Sequence, residues 1–376
     1  MEIKLKKTDD QIELVKAMAS RDRNVAYEAK AAIAELVGPI ISEVINNAAS
    51  ISNLYTTMFF GEDDNASIPL GLFHDITDED YIRIHSQTVA GGLSSNELYP
   101  SHDELKFKTY QLDSAWSFNK KYAQKARVDV VSQIFTRMAQ EFLLIQEKTS
   151  VNQLAGALVT ADTKILGAAA AGNHVLTATT ADRLALHDFN KLITLSKRIW
   201  TSFSGGTPST GIRVGITDLI MSPEMTEEIR SMAYQPVNTR SGAVTTSGAT
   251  SIPATDEMRN SIMKSAGFPS IFDINIIELF EMGVGQRYNK LFDVMNTKKG
   301  SPVTFTQASQ EILIGVDRSK SNALVRPAMV GEGYSTEVVV TVDEQFLDRS
   351  KKVGWVGEVN EGRLVLEDRV LTGLVV

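Results

Sequence analysis

The sequence predicts an α+β protein, and three observations predict it. Residues 119–152 carry one long helical periodicity. Residues 61–118 read as an extended two-stranded ribbon. From Arg213 onward, short apolar strands alternate with turn signals and short helices. Hydrophobic residues make up 43% of the chain and charged residues 22%, so a packed core is available and global disorder is not expected. The 376 residues suit one large domain or two to three intertwined subdomains.

The N-terminal stretch, residues 1–60, reads as a helical arm. Thr8-Asp9-Asp10-Gln11 has capping-box spacing, and Ile12, Val15 and Ala19 recur at helical intervals. Gly38-Pro39 is expected to interrupt the pattern, leaving a second short helix from Ile40 to about Ala49. The arm carries too little apolar mass to fold alone, so it is expected to pack on a neighbour rather than on its own chain's core.

Residues 61–118 follow. Gly61-Glu62-Asp63-Asp64-Asn65 is a polar loop. Tyr81 to His85 and Leu105 to Lys108 alternate loosely, as strands do. Between them lies a tip formed by Gly91, Gly92, Leu93, Ser94 and Ser95. An isolated ribbon is marginal in water and exposes two edges, so a neighbouring subunit is expected to cover it.

In 119–152, Ala126, Val130, Ile134, Met138, Phe142 and Ile145 form one apolar stripe, widened by Val131 and Phe135. Lys125, Arg127, Arg137, Glu141 and Glu147 are the solvated candidates. The helix is amphipathic and therefore lies on a surface.

After the small-residue linker Gly167 to Gly172, Thr179-Thr180-Ala181-Asp182 reads as the next helix start. Leu186, Phe189, Leu192, Ile193, Ile199, Trp200 and Phe203 supply its apolar side, and Ser204 to Pro208 ends it. Arg213 to Met221 is a near-continuous apolar strand, as if covered on both faces. Ser222-Pro223-Glu224 combines a hydroxyl cap, Pro at the first helical position and an early acid. Arg240 to Ser251 is a loose loop, and Asp256 to Ala266 a helix closed by Gly267. Further strands are read at Asp273–Phe280, Ile312–Val316, Glu337–Val342, Arg363–Glu367 and Val370–Val376. There is no internal repeat.

Several function classes lose ground here. There are no cysteines, hence no disulfides or thiolate chemistry. No apolar run reaches transmembrane length, and the start lacks a signal-peptide core. The net charge of −8, with one short basic run at Lys4, Lys6 and Lys7, argues against sequence-specific DNA binding. His74, His85, His102, His174 and His187 form no metal-binding pair. Glu62-Asp63-Asp64 and Asp78-Glu79-Asp80 lack EF-hand spacing and read as solvated turns. Gly283-Val284-Gly285 lacks the third glycine of a dinucleotide loop, and there is no phosphate loop or nucleophile elbow. Trp116, Trp200 and Trp355 read as core anchors. No catalytic, cofactor-binding or metal residue is therefore expected.

The order of elements resembles the major capsid proteins of tailed phages with the Hong Kong 97 fold. The ribbon is similar to that family's E-loop, and 119–152 to its spine helix. Val214-Gly215-Ile216-Thr217-Asp218-Leu219-Ile220-Met221-Ser222-Pro223-Glu224 is similar to the strand-to-helix junction of its axial domain. Ile312 to Arg318, Val338 to Asp343 and Asp368 to Leu374 resemble its closing strands.

The resemblance implies an arm at 1–60, an E-loop at 61–118, and the spine helix and peripheral domain at 119–180. It implies a mainly axial domain at 181–336 and peripheral strands at 337–376, the last returning to the axial domain. It places axial loops around Arg240, Tyr288, Lys298 and Lys299. Its implied function is a non-enzymatic shell subunit. Pentamers and hexamers would form an icosahedral capsid around double-stranded DNA, assembled in the host cytoplasm, with a portal and no membrane. A chain starting at Met1 with a short arm predicts a separate scaffolding protein. The acidic charge suits a container that holds DNA without adhering to it. Lys106 and Lys108 lie on the ribbon, but no crosslinking partner is identified. The alternatives are an encapsulin-type nanocompartment and, from a different class, an α/β enzyme.

Overall fold

The computed structural model describes residues 3, 8–48, 50–61, 67–69, 104–106, 108–163, 172–180, 183–200, 215–232, 236–237, 252–253, 270–271, 273–300, 303–319, 322–331, 336–343 and 351–376. Its helices are α1 Asp9–Ala17, α2 Arg23–Asn46, α3 Lys120–Gln124, α4 Val128–Thr160, α5 Leu186–Arg198, α6 Pro223–Met232 and α7 Arg287–Lys299. The first strands are β1 Thr56–Gly61, β2 Ser67–Pro69, β3 Glu104–Lys106, β4 Tyr110–Asn119, β5 Asp162–Thr163, β6 Gly172–Asn173 and β7 Val175–Thr177. There follow β8 Asp218–Met221, β9 Pro236–Val237, β10 Ile252–Pro253, β11 Ser270–Ile271, β12 Ile274–Glu278 and β13 Ile312–Val316. The last are β14 Leu324–Val330, β15 Val338–Val342, β16 Lys352–Glu361, β17 Leu364–Val365 and β18 Leu371–Val375. This is the mixed α+β class the sequence predicts. The chain divides into two units: Met1–Ile68, Leu105–Ser150 and Leu324–Leu364 form one, and Pro69–Glu104, Val151–Ala323 and Val365–Val376 the other.

In the first unit β16 is the hub. It pairs antiparallel with β4 along its whole length and with β15 on its other side. It meets β14 at Glu361↔Ala328, and β14 pairs in parallel with β1. Strand periodicity puts Val353, Trp355, Gly357 and Val359 on one face, in register with Phe118, Trp116, Ser114 and Leu112 of β4. Onto that face pack Ile33, Val37, Ile41 and Ile45 of α2, and Val131, Phe135, Met138 and Phe142 of α4. Trp355 is fully buried between Phe118 and Phe135, with ring centroids 5.9 and 5.1 Å away, and its Nε1 donates to the Lys30 carbonyl at 3.3 Å.

Three expectations change here. Thr8 does not cap α1 through its side chain; its backbone carbonyl accepts from Ile12 instead. Gly38-Pro39 does not interrupt α2, which continues to Asn46. Proline inside a helix costs about 3 kcal/mol. Burying Ile33, Val37, Ile41 and Ile45 at roughly 1.5–3 kcal/mol each outweighs that cost. Lastly, the N-terminal arm does not await a neighbour: α1 and α2 bury Val15, Met18 and the α2 stripe in their own chain's core.

The long helix also starts later than its periodicity suggests. Ala126 has φ 51°, a left-handed conformation that breaks the chain direction between α3 and the 33-residue α4. Val131, Ile134, Phe135, Met138 and Phe142 are buried, and Val130 is half-buried. Ile145 is 36% exposed, and Gln146 takes the buried position beside it.

In the second unit the sheet order is β11-β12-β8-β13-β18-β7. β8 is parallel to β12 and antiparallel to β13, and β18 is parallel to β7. On one face Leu219, Met221, Ile276, Leu313 and Leu374 meet Phe189 and Leu192 of α5 and Met225 and Ile229 of α6. On the other, a Cβ at Gly373 would lie 3.0 Å from Leu158 of α4, and Gly156 of α4 approaches Met295 of α7. Cover on both sides explains why β8 is buried at every position and reads as a continuous apolar run.

α5 begins at Leu186 rather than near Thr179, because Thr179 is not its cap. The backbone N–H and hydroxyl of Thr179 donate to Asp188 Oδ1 at 3.2 and 2.5 Å, so the helix reaches back to hold it. Tyr288, Lys298 and Lys299, expected on axial loops, lie in helix α7, closed by Gly300 at φ 62°. Its asparagines look like loop residues, but Asn289 and Asn296 are buried and donate to the Gln310 and Val303 carbonyls.

Candidate functional site

The first unit contains a buried charge cluster. Glu361, with no exposed surface, stands at the end of β16. Its Oε2 accepts from Arg326 Nε at 2.8 Å and Gln146 Nε2 at 3.0 Å, and lies 3.0 Å from Arg363 Nη1 in an ion pair. Arg326 Nη2 is 3.1 Å from Glu337 Oε1, a charge contact without hydrogen-bond alignment. Arg363 also donates to Ser150 Oγ and Ser52 Oγ and lies over the Tyr55 ring. Burial is the chief cause that lowers the Arg363 pKa from its ordinary value, opposed by Glu361. Burial likewise pushes the phenols of Tyr55 and Tyr110 up. Two arginines and two glutamates balance to neutrality, so the cluster joins α2, α4, β14 and β16 without a net buried charge.

The second unit has a smaller polar tie. The Ser222 hydroxyl donates to Glu311 Oε2 at 2.5 Å while its oxygen caps α6 by accepting from Met225 N at 3.1 Å. Glu311 Oε1 accepts from Val284 N at 3.2 Å, linking the start of α6 to the turn after β12. That turn is fixed further by Gly285 N to Gln307 O and Tyr288 N to Glu281 O. Gly283 and Gly285 have φ 128° and 68°, so this glycine pair shapes a turn. Nothing in its sequence pattern marked the turn as a display site, yet it carries Phe280, 78% exposed, and Val284.

Other large apolar side chains also face solvent. Phe59 of β1 is 62% exposed, and Leu144 and Ile145 sit on the outer side of α4. β1 ends the sheet order of its unit, which explains the poor cover over Phe59.

Val130, Ile134, Met138 and Phe142 line one side of α4, and Ile145 is exposed beside them. Lys298 and Lys299 are exposed in the last turn of α7, and Tyr288 is buried in its first. The tip residues Gly91, Gly92, Leu93, Ser94 and Ser95, and Arg240, lie outside the described residues, as do His74, His85, His102, both acidic runs and the 256–266 helix. β2 and β3, which flank the stretch read from the sequence as a ribbon, pair as a two-stranded sheet. His174 is buried with Nδ1 3.0 Å from the Leu371 carbonyl, and His187 is exposed. Among the described residues, no three His, Asp or Glu side chains gather to hold a metal ion, and no helix is long and apolar enough to cross a membrane. Trp355 and Trp200 are buried, and Trp116 is half-buried with Nε1 donating to Glu141.

No family model and no curated protein matches the chain. Among solved structures, it is similar to the mature capsid of bacteriophage PhiM1, with 11% identity, 87% of this chain and 86% of that chain covered, and TM-score 0.47. It is similar to the capsid of an empty GTA particle, with 12% identity, 87% and 89% coverage, and TM-score 0.47. It is also similar to the holo-SrpI encapsulin from Synechococcus elongatus, with 8% identity, 72% and 75% coverage, and TM-score 0.41.

Proposed function

We propose that this chain is the shell-forming subunit of a tailed-phage capsid of Hong Kong 97 type. The observation that carries the reading is Phe280, a large aromatic held 78% exposed on a turn locked by hydrogen bonds from three directions. A rigid apolar anchor in solvent loses little entropy when a partner covers it, and aromatic anchors dominate protein interfaces. Phe59 on an edge strand supports the same reading.

In this reading the first unit is the peripheral domain, α4 the spine and the second unit the axial domain. The ribbon rising from β2 and β3 is the E-loop, and its tip at Gly91 to Ser95 reaches a sibling. Pentamers and hexamers tile an icosahedral shell around double-stranded DNA, with a portal and a separate scaffolding protein as partners. The subunit assembles in the host cytoplasm, ends in the virion and catalyses nothing.

Sedimentation and negative-stain microscopy of the purified chain test this. Rings or megadalton particles are expected, and Phe280→Ser is expected to raise the concentration needed for assembly about tenfold, the effect of losing one good anchor. A chain that stays monomeric or dimeric at high concentration would refute the reading. Nuclease-protected DNA within particles isolated from the host is expected; protein cargo in its place would point to a nanocompartment.

A further inference from the structure

Two charged faces of the second unit have no charged counterpart among the described residues. α6 lies on one face of the sheet, where Met225 and Ile229 join Leu219 and Met221. α7 lies on the opposite side, beside the end of α4. On the α6 side, Glu224 stands over the turn at Gly283, and Glu281 and Phe280 project from that same turn into solvent. On α7, Lys290, Val294 and Lys298 recur every four residues along the exposed side, with Val294 51% exposed. Each face is therefore an apolar side chain flanked by like charges, acidic in one case and basic in the other. Among the described residues, Glu224, Glu281, Lys290 and Lys298 make no ion pair.

We infer that these faces are the two halves of one contact between copies of this chain. The acidic Phe280 face of one subunit meets the basic Val294 face of the next, head to tail. The inference rests on the self-assembly reading and names the surface and partner through which assembly runs. Charge complementarity selects the occupant. Like faces repel, so a two-fold contact of Phe280 face on Phe280 face is disfavoured. A contact between two different faces repeats around an axis, and a fixed rotation closes it into a ring. The apolar centres supply the area removed from water, and the charges set register and partner.

Charge exchange in the full-length chain tests this, with assembly followed by mass photometry and sedimentation. Glu224→Lys with Glu281→Lys, and separately Lys290→Glu with Lys298→Glu, are each expected to raise the assembly concentration at least tenfold. These side chains are exposed, so circular dichroism of the unassembled variants is expected to match the parent. Combining all four substitutions restores the opposite-sign match and is expected to bring assembly back to within about threefold of the parent. Mixing the two double variants is expected to restore assembly into even-membered rings, because one then presents two basic faces and the other two acidic faces, so every junction between alternating copies joins opposite charges while each variant alone meets only like charges. Assembly of either double variant at the parent concentration overturns the inference while leaving the shell reading intact, as does failure of the fourfold variant to recover. A parent chain that forms no particles at all overturns both, and a parent that stops at a two-fold dimer overturns the head-to-tail contact.

Discussion

Glu361 is one carboxylate on which two guanidinium groups and a carboxamide converge, with no water-accessible surface. Removing it leaves Arg326 and Arg363 buried with Glu337 as the remaining acid near Arg326. An uncompensated buried charge is expensive, and breaking such a pair typically costs about 3–5 kcal/mol. Glu361→Ala is therefore expected to lower unfolding stability by about that amount, read from urea titrations. A loss below about 1 kcal/mol, the level of surface pairs, would mean water already reaches the cluster. Little of this site was legible in the sequence. Arg326, Glu337, Glu361 and Arg363 lie in three separate stretches, and a charged residue carries no mark of burial. One could have noticed that Glu361 and Arg363 flank a glycine at the end of an alternating run, where a solvated face would also place them.

At the scale of the element, the distance between α4 and β16 is set by Gly357. A Cβ there would lie 2.6 Å from Met138 Sδ and 3.2 Å from Phe142. Met138 is flexible enough to move, but Phe142 is held by its neighbours, so Gly357→Ala is expected to cost about 1–3 kcal/mol through overpacking. Met138→Ala in the same background is expected to recover part of the loss; a double variant no better than Gly357→Ala alone would show that the clash lies elsewhere. The α4 stripe was readable because five buried side chains follow the helical period. β16 was missed because Gly354 and Gly357 and the polar Glu358 and Asn360 dilute its alternation, and Gly357 is demanded by the helix above. α7 was missed for the converse reason: its core-facing side carries two asparagines whose partners are backbone carbonyls beyond the helix. The α6 start was readable because Ser222 and Pro223 act through neighbours in sequence.

For the molecule as a whole, the α+β class follows from periodicities that survive in any context. The assignment of segments to two discontinuous units does not, because β4, β14 and β16 meet from distant parts of the sequence. The global stability should depend on alkaline pH with a definite sign. Burial raises the Tyr55 phenol above its ordinary value of 10.0, against a smaller lowering by Arg363, and Tyr110 is raised as well. Above about pH 10 the unfolded chain gives up phenolic protons that the folded chain retains, so stability present below that pH falls as pH rises. Urea midpoints are expected to drop on going from about pH 9 to about pH 11, and Tyr55→Phe should flatten that slope. An unchanged slope in the variant would assign the alkaline loss to other groups.

Trp355 and Trp200 belong to different units, and each has its own surroundings: Trp355 is wedged between two phenylalanine rings, and Trp200 lies 4.7 Å beneath the Arg369 guanidinium. Fluorescence therefore comes built in as a two-channel thermometer. With Trp116 replaced by Phe, a chain retaining only Trp355 reports the melting of one unit, and a chain retaining only Trp200 reports the other. Two melting curves from one polypeptide would separate local loosening from collapse of the entire subunit.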